Sequence, residues 1–311
     1  MLTDADISHY RERGYLVVPD VLEAGALARL REVTDEIVAS AAGVTEHTDI
    51  LDLEASHTPE APRVRRIKRP HTAHPFYREL AAHAGVMAAL EPLIGPNIRL
   101  RPAGKINMKS ADFGAPVEWH QDWAFYPHTN QDVLAVGILL DDMDADNGPV
   151  KFLAGSHRGP VYDHHSYVED ERLGAFCGAI DIEKEGLDIS GAEEVYAKAG
   201  SITVHHARLV HGSSMNHSNR QRRILFYEYT AADAWPLAGI EALGGDLADF
   251  NDRVVHGVPT LRPRLEDVPV KMPMPIAKHQ GSIYENQRTL SKRFFGEHHG
   301  RTQKANGSAA T

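Results

Sequence analysis

Glu118-Trp119-His120-Gln121-Asp122-Trp123 places an imidazole and a carboxylate two residues apart. On an extended chain such residues project to the same side of the strand, so both can reach one metal ion. Alone the pattern is weak, because the chain has 19 histidines and repeats it at His47-Thr48-Asp49. That second copy lies in the polar stretch 45–62 and reads as a surface loop. What surrounds the first copy is a strand scaffold. From residue 98 the texture is short apolar or alternating runs broken by Gly, Pro, Asn and Asp, which predicts strands over 99–109, 133–140, 150–153, 201–206 and 224–230. Many short strands with turn punctuation indicate an antiparallel sandwich or barrel. Asn147-Gly148-Pro149 marks a tight turn between two of them.

The second half of the constellation is His211-Gly212-Ser213, just after the run that ends in Val204, His205 and His206. Of the 19 histidines only His211 has an arginine eleven positions onward, Arg222, where the next strand begins. Two imidazoles and one carboxylate on one face of an octahedral iron leave positions open for a bidentate acid and for oxygen. An arginine adds a fixed cation that grips a carboxylate in fork geometry. With these sites filled, His205 and His206 read as packed or supporting groups, and His164 and His165 as solvent-facing.

Upstream the patterning is helical. Thr3 caps a first helix that Gly14 ends, and residues 15–18 form a short strand. Leu27, Leu30, Val33, Ile37 and Val38 define an amphipathic helix over 22–42, and Leu80, Val86, Met87, Leu90 and Leu93 another over 75–93. Residues 160–198 are long, charged and irregular and read as an insertion outside the strands. The basic stretch Arg63, Arg65, Arg66, Lys68 and Arg69 reads as a solvated strand face; the alternative is that Arg66 and Lys68, and likewise Lys109, point into the barrel mouth and hold an acidic group.

Across 311 residues, 33 Lys+Arg against 43 Asp+Glu give a net charge of −10, which argues against a nucleic-acid binder that holds phosphates by charge. Cys177 is the single cysteine, so an intrachain disulfide, a cysteine-built zinc site and an iron–sulfur cluster are excluded. No apolar run approaches the roughly 20 residues of a membrane span, and Asp4, Asp6, Arg11, Glu12 and Arg13 stand where a signal peptide would be apolar. These features predict a cytoplasmic protein with a small-molecule substrate, no nucleic-acid partner and no membrane contact, and they say nothing of oligomeric state.

The ordered motifs Arg13-Gly14-Tyr15, Asn107 to Lys109, His120-Gln121-Asp122, Asn147-Gly148-Pro149, Gly155-Ser156-His157-Arg158-Gly159, Gly200-Ser201, His211-Gly212-Ser213 and Arg222 resemble the phytanoyl-CoA dioxygenase-like (PhyH) family of Fe(II)/2-oxoglutarate oxygenases, which includes ectoine hydroxylase. The resemblance covers nearly the whole chain. It implies a mainly β fold with flanking helices, a double-stranded β-helix or cupin-like jelly roll. It also implies His120, Asp122 and His211 as iron ligands, and Arg222 with Ser213 on the far carboxylate of 2-oxoglutarate, with Asn107 bonding the cosubstrate. The implied chemistry consumes O2 and 2-oxoglutarate, releases succinate and CO2, and hydroxylates or otherwise oxidises an aliphatic C–H of a small metabolite. Relatives that halogenate lack the carboxylate that Asp122 retains, which excludes halogenation. At the position where some members place an aromatic under the cosubstrate, this chain has Ile138. Trp123, Phe125 and Tyr126 are candidates for the substrate side.

One catalytic unit is therefore expected over 1–299, with a helical part at 1–97, a jelly-roll core at 98–235 and a C-terminal extension at 236–299, followed by a frayed tail at 300–311. The stretch 278–293 is expected beside the active site or at a subunit contact. Two rival readings are a cupin-type metalloenzyme without 2-oxoglutarate and a non-catalytic jelly-roll binding protein.

Overall fold

The computed structural model describes the chain except for residues 103, 112–113, 168–174, 273, 275–282, 284–286, 288–292 and 296–311. The strands are β1 (Tyr15–Val18), β2 (Leu51–Leu53), β3 (Val64–Lys68), β4 (Ile98–Leu100), β5 (Lys105–Lys109), β6 (Val117–His120), β7 (Val133–Leu139), β8 (Val150–Phe152), β9 (His165–Tyr167), β10 (Ala175–Cys177), β11 (Glu193–Glu194), β12 (Ile202–His206), β13 (His211–Ser213), β14 (Arg222–Ala231) and β15 (Val254–His256). The helices are α1 (Asp4–Arg13), α2 (Ala24–Ala39), α3 (Pro70–Ala73), α4 (Phe76–Ala81), α5 (Ala84–Ile94), α6 (Ile182–Glu185) and α7 (Leu247–Asp252).

The larger sheet runs β1-β12-β7-β14-β5-β3-β2, with β4 and β15 attached beside β14; the smaller runs β11-β8-β13-β6. Pairing is antiparallel throughout. The alternation of side chains gives the larger sheet two unlike faces. Val136, Ile138, Val204, Leu225 and Tyr227 point to one side and pack with Leu30 and Val33 of α2 and Leu90 of α5 in a single apolar cluster. Asn107, His205, Arg222 and Glu228 point to the other side, toward the smaller sheet, and share a cavity with its residues. This is the expected jelly roll with helices on one outer face.

The helix at the N-terminus forms as read: Thr3 and Asp6 make a reciprocal capping box and Gly14 closes it in a left-handed conformation at φ 81°. Other expectations shift. The 75–93 helix is broken, because the His83 imidazole accepts from the Gly85 amide and starts α5 afresh. The 99–109 strand divides into β4 and β5. The basic strand β3 is not a solvated face: Arg65 and Arg66 are buried, and both Arg66 and Lys68 reach Asp52 on β2, at 3.8 and 3.0 Å. Residues 160–198 are not wholly outside the scaffold either, since β11 adds to the edge of the smaller sheet beside β8.

His164 is buried rather than solvent-facing, its Nε2 accepting from the Gln121 amide at 2.7 Å. The side chain of His165 lies outside the described residues. Burial pushes His164, His128 and His206 down to about 3.

Two predictions follow from this packing. Leu225→Ala, at a fully buried position against the helices, is expected to lower unfolding stability by about 2–5 kcal/mol in urea titration, and a loss under 1 kcal/mol would place that contact elsewhere. These three histidines, two buried and His206 half-buried, set the acid behaviour. Their folded-state pKa lies below the unfolded value, so the unfolded chain binds more protons and stability falls as pH drops from about 6.5 toward 3. Each contributes a slope of up to about 1.4 kcal/mol per pH unit in that window. A urea midpoint that stays flat between pH 7 and 5 would contradict it.

Candidate metal centre

His120 ends β6, Asp122 follows two residues beyond it, and His211 opens β13. The two strands pair with His120 directly opposite His211, and the register slips before Ser213 meets Val117. A cross-strand pair thus supplies both imidazoles, with ring centres 4.1 Å apart. Within this group each residue offers one ligand atom within 4.8 Å of the others, and all three are buried.

The orientation of the rings is fixed by the backbone. His120 Nδ1 lies 2.8 Å from the Glu118 carbonyl and His211 Nδ1 2.9 Å from the Leu209 carbonyl. A carbonyl can only accept, so Nδ1 carries the proton in both rings and the Nε2 lone pairs are left to face Asp122. Those atoms lie 3.8 and 4.0 Å from its carboxylate. Burial is the main cause that lowers His120 and, further, His211, which keeps both imidazoles neutral and ready to donate. Burial works to raise Asp122, but the His205 imidazole, at 3.5 Å, is the leading influence against it, and the carboxyl is held well below its usual range. Two aimed neutral nitrogens and an ionised carboxylate on one side of a cavity fit a divalent first-row metal such as iron.

The same cavity encloses about 570 Å³ including its open mouth and is lined by both sheets, among them Asn107, Ser213 and Arg222. Arg222 lies opposite Lys109 at the start of β14 and donates to the Gly148 carbonyl at 2.9 Å. Gly148 belongs to the predicted Asn-Gly-Pro turn: at φ 79°, a Cβ there would come within 2.7 Å of the Ser214 carbonyl and 2.8 Å of the Lys109 side chain. The buried Asn107 Oδ1 lacks a hydrogen-bond partner among the described residues. Lys109 itself is fully buried behind Arg222, its ammonium donating to the Ser214 carbonyl, and does not line the cavity.

The structure therefore brings His120, Asp122, His211, Ser213, Asn107 and Arg222 together. It separates the aromatic candidates. Trp123 packs with Val133, Val161 and Ala207, donates to the Pro269 carbonyl at 2.7 Å and does not line this cavity. Phe125 stands 6.5 Å from the His120 ring and edge-on to His164. Tyr126 is half-buried near Asp122, and desolvation, with Asp122 and Glu228, raises its phenol well above the usual range. Ile138 is also not the cosubstrate wall, since its parity sends it to the helix side of β7. The aromatic side chain that does line the cavity is Phe226, and it fits because Gly137 opposite has no side chain: a Cβ would lie 2.9 Å from the ring.

Sequence reasoning missed Lys105, Phe226 and Glu228, which also line the cavity. The alternation that makes Asn107 inward does the same for Lys105, and counting by twos from Arg222 reaches Phe226 and Glu228. Ile283, from the C-terminal stretch, lines it too, and Gln287 accepts from the Glu118 amide at 2.9 Å. That stretch was expected here; most of it lies outside the described residues.

Comparison with known proteins places these residues in context. The family profile described as Phytanoyl-CoA dioxygenase (PhyH) matches residues 10–224. The "Probable alpha-ketoglutarate-dependent hypophosphite dioxygenase" of Stutzerimonas stutzeri is 38% identical over 288 residues, covering 92% of this chain and 97% of that one. The L-proline trans-4-hydroxylase of Streptomyces griseoviridis is 26% identical across 76% of this chain and 88% of its own. Among solved structures, EctD from S. alaskensis with 2-oxoglutarate and 5-hydroxyectoine superposes with a TM-score of 0.61 at 21% identity, over 86% of this chain and 88% of that one, which supports the jelly-roll fold. Neither a metalloenzyme without 2-oxoglutarate nor a non-catalytic binding protein is favoured by these relatives. Among the described residues, no helix is long and apolar enough to cross a membrane. The chain belongs to the phytanoyl-CoA dioxygenase (PhyH) family and is a non-haem iron dioxygenase dependent on 2-oxoglutarate.

Proposed function

We propose that His120, Asp122 and His211 hold the iron and that Arg222 and Ser213 receive the far carboxylate of 2-oxoglutarate, with Asn107 bonding the cosubstrate from β5. The observation that carries this reading is that one cavity joins the aimed His-Asp-His group on one sheet to a buried arginine on the other. Iron with 2-oxoglutarate supplies the oxidant: O2 and the cosubstrate become succinate and CO2, and the second oxygen atom converts a substrate X–H bond to X–OH. The protein's part is positional. The backbone carbonyls aim the imidazoles, Arg222 fixes the cosubstrate's distant end, and Phe226, Val117, Val150 and Ile283 exclude water from the reacting side.

The substrate is a small metabolite oxidised at an aliphatic C–H, with desaturation or ring closure as variants of the same chemistry, or a small compound with a comparably accessible X–H bond. Hypophosphite is the first compound to try, because the Stutzerimonas relative carries that substrate in its name. Residues 1–299 are read as one catalytic unit, and the single cysteine supports action in the cytoplasm.

Anaerobic titration with Fe(II) and then 2-oxoglutarate tests the assignment. The weak visible charge-transfer band of iron-bound 2-oxoglutarate is expected in the wild type. Arg222→Ala should keep iron and lose the band at the same cosubstrate concentration, and His211→Ala should lose iron affinity by at least about tenfold. An undiminished band in Arg222→Ala would overturn the cosubstrate assignment.

A further inference from the structure

Lys105 is the first residue of β5, opposite Phe226 on β14 and Lys68 on β3, and it lines the cavity together with His120, Asp122 and Glu228. Lys105 and the His-Asp-His group thus face one common space. Nothing in the cosubstrate site accounts for this lysine. Arg222 and Ser213 mark the end of the cavity where β14 begins, and Lys105 lies four residues along the strand that pairs with it, past Asn107.

The electrostatic setting is unusual. Glu228 is nearly buried, with side-chain exposure of 5%, and Arg101 takes one of its oxygens at 2.8 Å. Lys105 reaches the other only at 3.4 Å and keeps 25% of its side chain exposed. Arg101 is held in place from behind, its guanidinium 3.6 Å from the centre of the Tyr126 ring. Two cations therefore share one carboxylate, and the less tightly held of them faces the cavity. Divalent iron with Asp122 and dianionic 2-oxoglutarate with Arg222 would balance one another, so the charge at this wall is set by the Arg101–Glu228–Lys105 group, which carries one net positive charge and of whose two cations only Lys105 lines the cavity. Around it the wall is apolar, from Ala135, Phe226 and Ile283, so an ionic contact there is weakly screened.

From this arrangement we infer that Lys105 is the substrate anchor and that the substrate is a small monoanion. The inference rests on the iron and 2-oxoglutarate reading above and adds the substrate's charge and the residue that selects it. A lysine is a compact point charge and suits a small oxyanion such as a phosphinate or carboxylate. Glu228 holds the ammonium within reach and, through Arg101, limits the surplus to one charge, which disfavours neutral and cationic competitors.

The test uses the anaerobic holoenzyme loaded with Fe(II) and 2-oxoglutarate. Hypophosphite, formate and acetate are the probes, with formamide and acetamide as neutral counterparts. Binding is read by calorimetry and by the change each probe causes in the charge-transfer band. At least one of the three anions is expected to bind, and the amides are not. Lys105→Gln should weaken anion binding roughly ten- to a hundredfold while the preceding 2-oxoglutarate titration is unchanged, and Lys105→Arg should recover part of the loss. Glu228→Gln removes the competing carboxylate and should change affinity in the opposite direction, tightening it. Three results would overturn the inference: no anion bound by the wild type, Lys105→Gln binding anions as the wild type does, or Lys105→Gln weakening 2-oxoglutarate instead. A wild type without the 2-oxoglutarate band would instead strike the reading beneath it, and would be seen before any probe is added.

Discussion

Desolvation of charge between two sheets is the constraint on which this molecule turns. His120, Asp122, His211, Arg222 and Glu228 are all nearly buried, and ionised groups survive there only when fixed dipoles and opposite charges replace water. Backbone carbonyls of Glu118 and Leu209 take the imidazole protons, the Gly148 carbonyl takes an Arg222 proton, and Arg101 takes Glu228. Each of these partners comes from a strand, a strand's end or a tight turn, so the polar interior is only as well defined as the sheets that carry it. The opposite face of the larger sheet provides that definition. Its apolar side chains lock onto α2 and α5, and the inner face can then be spent on chemistry rather than on packing.

That division also explains what could be read from sequence. The iron motif was legible because its residues are close in the chain and strand parity sets their direction. The helix caps at Thr3 and Gly14 and the Asn147-Gly148 turn were legible for the same local reason. Parity failed where the strand face had to be known in advance. Ile138 is one residue from the inward Gly137, and a one-residue shift sends a side chain to the helix side. Trp123 follows Asp122, but the chain has already turned into a short 3-10 helix at Asp122–Ala124, so strand alternation no longer applies. Lys105 and Glu228 are far apart in sequence and carry no motif. Only the antiparallel pairing of β5 with β14 brings them to one wall. The Arg63 to Arg69 stretch was read as a solvated face for a similar reason, since Asp52, the acidic partner of Arg66 and Lys68, comes from a neighbouring strand.

Relatives of this chain carry names that point to unlike substrates, a phosphorus oxyanion in one and proline in another. In the reading proposed above, the half of the cavity with the His-Asp-His group and Arg222 serves iron and the cosubstrate. The other half, with Lys105, Glu228, Phe226 and Ile283, is where this chain can be distinctive. Ile283 ties that half to the C-terminal extension, which is anchored through Gln287 on the Glu118 backbone and through the Glu118 carboxylate, which accepts from the Phe294 amide at 2.9 Å. The strand that presents His120 is thus braced by the same segment that contributes Ile283 to the cavity.

The most direct test of the central claim is a crystal structure of the protein loaded anaerobically with Fe(II) and 2-oxoglutarate, with iron located by its anomalous scattering. The account predicts a single iron peak within bonding distance of His120 Nε2, His211 Nε2 and an Asp122 carboxylate oxygen, and the far carboxylate of 2-oxoglutarate on Arg222. Iron elsewhere, or 2-oxoglutarate bound without contact to Arg222, would contradict it.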